Sequence, residues 1–117
     1  MKNYLAVFLG SPAAMDAFRA LPEAERKQKE QAGMQAWMQW AHSHAGDTVD
    51  MGSPLGKTKK VGKDGIEDIR NELGAWMVVK AESHEAAAKM FENHPHFMIF
   101  PGDRIEVMEC LPMPTMQ

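Results

Sequence analysis

One cysteine, Cys110, stands in the whole chain, so no disulfide can form within it. Cysteine usage therefore does not call for an oxidising compartment. Long apolar runs are missing too. No stretch approaches the roughly 18–20 apolar residues that span a bilayer, and no membrane partner is expected. The start, MKNYLAVFLGSPAAM, holds an apolar run of only Leu5–Leu9. A secretory signal needs about 7–15 apolar residues, so this run reads as a first strand and the cytoplasm is the expected location. Charge of one sign is also scarce. Lys plus Arg number 13 and Asp plus Glu 16, a net charge of −3. A mildly acidic chain lacks the basic footprint of a general nucleic-acid binder, and no nucleic-acid partner is expected. No internal repeat and no low-complexity segment interrupts the sequence.

What is present fits one domain over residues 1–117. Hydrophobic residues make up 44% and charged residues 25%, enough apolar content for one unstapled core. A folded chain of this mass should expose roughly 6,400 Å². Methionine is frequent, at 11; it fills irregular core gaps and adapts to apolar ligands.

Lys2–Leu9 is a strand with two apolar faces, Tyr4/Ala6/Phe8 and Leu5/Val7/Leu9, ended by Gly10-Ser11-Pro12. Residues 12–21 form a loop or short helix. Pro22, followed by Glu23 and Glu25, opens a helix to about His44. Met34, Trp37, Met38 and Ala41 share its apolar stripe, and Gly46 ends it. A short strand over Thr48–Met51 and a ribbon to Val61 precede a Lys63-Asp64-Gly65 turn. Ala75–Ala81 is a strong strand, again apolar on both faces. Ser83 caps a helix through about Asn93, with Ala87, Met90, Phe91 and His94 on its buried stripe; Pro95 stops it. Arg104–Leu111 is the last strand, followed by an extended tail at Pro112–Pro114.

This order predicts an α+β, ferredoxin-like antiparallel sheet with two helices on one face. Such helices leave the other sheet face to water, which should then be polar. Here the first strand and the Ala75–Ala81 strand are apolar there as well. About 600 Å² of bare apolar surface per subunit would exceed what monomers expose. The expectation is a homodimer packed sheet to sheet, a dimeric α/β barrel.

Several motifs join that pattern: the Gly-containing segment from Met51-Gly52 to Gly65-Ile66, Glu72-Leu73-Gly74-Ala75-Trp76-Met77-Val78-Val79-Lys80-Ala81, Ser83-His84-Glu85-Ala86-Ala87, His94-Pro95 and Ile105-Glu106-Val107. As a set, from about residue 30 onward, the chain resembles the YCII-related (DGPF/YciI-like) family of the dimeric α/β-barrel superfamily. The resemblance implies a ferredoxin-like domain pairing into a barrel. Some members of that family resemble chlorinated-lactone dehalogenases, with a His inside the first helix and an Asp shortly after it as the candidate catalytic pair. That pair has no counterpart in Gly33–Trp40, so its role is not carried over. Gly65-Ile66-Glu67-Asp68 replaces the family's DGPF segment.

The candidate catalytic residues are His94, His44 and Asp47. A histidine held by a carboxylate acts as a general base near neutral pH, and His44 and Asp47 lie at one helix end with His42 nearby. A capping role, with cations at a helix C-terminus, accounts for the same residues. His94 closes an apolar stripe and His96 sits on the turn into the last strand; both could face a space between helices and sheet, or be core histidines. Trp40 is a candidate wall of such a pocket, and Arg70 or Arg104 a candidate anchor for a ligand's carboxylate. No metal is expected: a zinc site wants three or four converging ligands, which His94-Pro95-His96 and one cysteine do not supply. Gly52-Ser-Pro-Leu-Gly56-Lys57-Thr58 is one residue short of a phosphate-loop signature and no helix follows it. Lys57, Lys59, Lys60 and Lys63 form a local basic patch that guards an edge strand or meets an anion.

Two functions remain open. One is a cofactor-independent small-molecule enzyme working on an apolar or aromatic acid between helices and sheet. The other is a non-catalytic ligand-binding or homo-oligomeric assembly module. A closed cavity of about 300 Å³ with a histidine and an arginine converging in it favours the first; an interior filled by Met and Trp favours the second.

Overall fold

Eight residues from Lys2 to Leu9 form β1, the strand around which the rest is arranged. The computed structural model describes residues 1–98 and 100–114. Ser11 caps α1 (Pro12–Arg19), its hydroxyl accepting the Ala14 N–H at 3.1 Å. The long helix α2 spans Glu23–Ser43, and a short turn at Ala45–Asp47 leads into β2 (Thr48–Pro54). A hairpin follows, β3 (Thr58–Gly62) and β4 (Gly65–Ile69), then β5 (Leu73–Ala81). α3 (His84–Lys89), α4 (Pro95–Met98) and β6 (Arg104–Glu109) complete the order.

The main sheet runs β2-β5-β1-β6, all neighbours antiparallel. With the hairpin set apart as its own two-stranded sheet, this is the expected ferredoxin-like strand order. Gly52 marks where β2 bulges against β5. Its φ is +64°, and any Cβ there would overlap the Trp76 carbonyl oxygen.

The core lies between helices and sheet. Tyr4, Ala6 and Phe8 of β1 and Met77, Val79 and Ala81 of β5 pack there with Ala87 and Phe91. The opposite sheet face carries Leu5 and Val7 of β1, which the register sets beside Val78, Trp76 and Met108. The thinnest dimension of the molecule, 18 Å, matches one helix layer on one sheet and leaves no room for a second cover. The subunit exposes 8459 Å², well above the value expected from its mass, and its radius of gyration of 16.3 Å exceeds the about 13 Å of a compact chain this long. A sheet face with no helix layer over it, its Leu5, Val7, Trp76 and Val78 only half-buried, and a hairpin in a sheet of its own both add to that excess.

Three local expectations need correction. Residues 65–69 form a strand, β4, whose acidic side chains pair with the lysines of β3: Lys59–Asp68 at 2.6 Å and Lys60–Glu67 at 3.1 Å. Pro95 does not simply stop a helix; it opens α4, as a first-turn proline does. The stripe of α2 is also rotated. Gly33 is buried under the Phe100 ring and Trp37 and Trp40 pack on the core, whereas Met34 and Met38 are 57% and 59% exposed. The side-chain-free Gly33 lets the helix approach Phe100, and the two indoles bring more apolar area than the methionines.

Candidate functional site

The segment after α3 throws one histidine into the core. Asn93 adopts φ 59°, the left-handed region that an asparagine tolerates, and turns the chain inward. His94 follows, fully buried. Aromatic rings surround it: Trp37 edge-on at 4.5 Å between centroids, Trp40 at 4.7 Å, Phe8 at 5.1 Å and Phe91 at 6.0 Å. His94 Nδ1 accepts the His96 backbone N–H at 3.0 Å, capping α4. An accepting Nδ1 puts the proton of the neutral ring on Nε2. That Nε2–H is buried and has no hydrogen-bond partner. Burial, then the nearby His96 and His44, pushes the His94 pKa down to about 3, so the ring is neutral at physiological pH.

His96 has a different task. Its Nε2 donates to the Leu9 carbonyl at 2.7 Å and lies 3.1 Å from that of Arg104, tying the end of β1 to the start of β6. Burial lowers its pKa, and these carbonyl bonds oppose the shift.

Trp40 links the cluster to the surface. Its indole N–H donates to the Met90 carbonyl at 3.1 Å, and its ring stacks on Phe91 at 5.1 Å and on His44 at 4.3 Å. His44 is half-buried, and its Nδ1 lies 2.9 Å from the Trp40 carbonyl. A carbonyl only accepts, so Nδ1 carries a proton, and in the neutral ring that leaves the lone pair on Nε2. Two histidines of opposite tautomer thus flank one tryptophan: His94 offers an N–H, His44 a basic nitrogen. Asp47 joins His44 through the backbone, its N–H bonding the His44 carbonyl at 3.0 Å; among the described residues no hydrogen bond joins its carboxylate to the ring.

The two arginines lie elsewhere. Arg104 is held by Glu72 at 2.7 Å, Glu106 at 2.8 Å and Asp103 at 3.2 Å, which raise its pKa further. Arg70 is exposed and grips Asp16 with both terminal nitrogens, at 3.1 and 3.3 Å. An open cleft of about 880 Å³ includes Arg70 in its lining but no histidine. The structure therefore gathers His94, His96, His44 and Trp40 and leaves Arg70 and Arg104 outside. Phe8, Trp37 and Phe91, read from sequence as strand-face or stripe residues, complete the cluster; their signal was aromatic character at inward-facing positions. Among the described residues no three His, Cys, Asp or Glu side chains converge as a metal-ligand set.

No protein-family model matches the chain, and no curated protein sequence matches it significantly. Its fold is similar to that of a solved structure, 5-chloro-2-hydroxyhydroquinone dehydrochlorinase (TftG) from Burkholderia phenoliruptrix AC1100, in complex with 2,5-dihydroxybenzoquinone. The TM-score is 0.54 at 14% identity, over 90% of this chain and 89% of that one. At that identity the likeness is one of fold: an antiparallel α+β, ferredoxin-like domain. No helix among the described residues is long and apolar enough to cross a membrane.

Proposed function

We propose that this chain is a YCII-like, cofactor-independent small-molecule enzyme whose substrate is a planar, hydroxylated ring compound bound against Trp40 between helices and sheet. The observation that carries the reading is the pair of histidines flanking Trp40 in complementary tautomers. In the proposed chemistry His44 Nε2 takes a proton from a ring hydroxyl. His94 Nε2–H donates a hydrogen bond to the ring oxygen on which negative charge develops. A donor waiting in a dry aromatic site favours that charge without reorganising. With its pKa near 3, His94 serves as a neutral donor and not as the base. One proton moves and no electrons pass to or from the protein. His96 and Asp47 act as positioning residues, setting the ring of His94 and the turn after His44. The rings fill the space around His94, so a ligand would enter by displacing the half-buried Trp40 indole. The fold neighbour's quinone ligand supports the substrate class.

The working unit in this proposal is a homodimer, sheet face to sheet face. Five apolar side chains, Leu5, Val7, Trp76, Val78 and Met108, lie together on three strands of the uncovered face, which supports that assembly. The second reading is a non-catalytic binding or assembly module, and the filled interior with both arginines outside it is the arrangement that favours that reading. Calorimetric titration with 2,5-dihydroxybenzoquinone tests the reading. Saturable binding to the wild type that weakens at least about tenfold in His94→Phe, which keeps the ring and removes the N–H, is expected. Equal binding by both proteins would remove His94 from the site, and no binding by either would remove the substrate class.

A further inference from the structure

We propose that the cleft between α1 and the base of the β3–β4 hairpin binds a small amphipathic anion: a carboxylate, sulfonate or phosphate-type group on an apolar body. Its volume of about 880 Å³ falls within the range of small-ligand sites. Met15 and Arg19, four residues apart on α1, both line it. Leu55, Ile69 and Leu73 supply further apolar wall.

The walls are tied together. The Gly10 N–H bonds the Glu72 carbonyl at 3.0 Å, and the Leu55 N–H bonds the Gly74 carbonyl at 2.9 Å. The two-pronged Arg70–Asp16 pair fastens α1 to the end of the hairpin. These bonds hold the cleft in shape before a ligand arrives, which lowers the ordering cost of binding.

Its charges are unbalanced in one direction. Four cations, Arg19, Lys57, Lys59 and Arg70, face two carboxylates, Asp68 and Glu72. Asp68 is matched by Lys59, Glu72 by Arg104 and Arg70 by Asp16. Arg19 and Lys57 form no ion pair among the described residues. The lining is thus positive within a chain of net charge −3. Of the basic patch visible in the sequence, Lys59 and Lys60 are neutralised across the hairpin, and Lys57 supplies the lining with an unpaired charge. Arg19 of α1 supplies the second. Thr58 adds a donor: its hydroxyl oxygen accepts from the Asn71 amide at 3.3 Å, leaving the hydroxyl proton for an anion.

The test titrates the full chain with anilinonaphthalenesulfonate, which joins a sulfonate to an apolar ring system, and with neutral phenylnaphthylamine, which lacks the sulfonate. The expected result is saturable sulfonate binding that falls with added salt. It should weaken at least about tenfold in the double variant Arg19→Gln with Lys57→Gln, and the neutral dye should bind at least about tenfold more weakly than the sulfonate. Both substituted side chains are exposed, and circular dichroism checks that the variant is folded. Met15→Asp, which sets a carboxylate into the same wall, must also weaken the sulfonate. No saturable binding, undiminished affinity in either variant, or equal binding of the neutral dye would overturn the proposal.

Discussion

Lowering the pH from about 7.5 to about 5 should cost the folded chain about 2 kcal/mol through His94 alone. The folded ring has a pKa of about 3, against an ordinary value of 6.5. A depressed pKa means that the unfolded chain takes up the proton first. Stability from the neutral ring is therefore complete above pH 6.5 and is lost progressively down to about pH 3. Each unit is worth about 1.4 kcal/mol, so one and a half units below the unfolded value gives about 2 kcal/mol at pH 5. His96 is lowered as well and adds in the same direction. Asp16, held low by its bond from Arg70, contributes stability that is lost only below this window.

Urea unfolding followed by tryptophan fluorescence reads the effect. A loss of about 2 kcal/mol moves the midpoint by about 1–2 M between the two pH values. His94→Gln, which keeps a polar side chain to cap α4 but does not titrate, should lose most of that pH dependence. A wild-type midpoint that does not move between the two pH values would refute the reasoning. So would a His94→Gln variant with an undiminished slope.

Two further substitutions have expected outcomes. Gly102→Ala should destabilise by about 2–4 kcal/mol in thermal or urea unfolding, because its Cβ would overlap a His96 ring fixed by two carbonyls; wild-type stability would show that the ring can yield. Val78→Glu, at the centre of the uncovered sheet face, should convert a micromolar dimer to monomer in analytical ultracentrifugation, and a wild type that sediments as a monomer would contradict the dimer.

The fold was legible where residues satisfy their environment locally. β1 and β5 announce themselves by apolar residues on both faces, and Ser83 caps α3 with a 3.0 Å bond from the Ala86 N–H. β4 was hidden because its five residues, Gly65 to Ile69, include a glycine and two acids; only its register against Lys59 and Lys60 makes a strand of it. Met34 and Met38 share a helical period with Trp37, as Gly33 and Trp40 do. Choosing between the stripes needed the Phe100 ring against which Gly33 sits. At the candidate site, the apolar stripe of a helix expected to run to about Asn93 already pointed to His94, although α3 itself ends at Lys89. The tautomer was not legible, since it depends on a backbone N–H two residues on. Nor were the partners of the arginines, because Arg70 meets Asp16 and Arg104 meets Glu72 across long stretches of chain.

Heteronuclear NMR of the histidine ring nitrogens reaches the central claim most directly. His94 should show a proton on Nε2 and none on Nδ1, stay neutral from about pH 8 to about pH 5, and shift at Nε2 when 2,5-dihydroxybenzoquinone is added. A proton on Nδ1, titration near the ordinary histidine pKa, or an Nε2 signal indifferent to the quinone would contradict it.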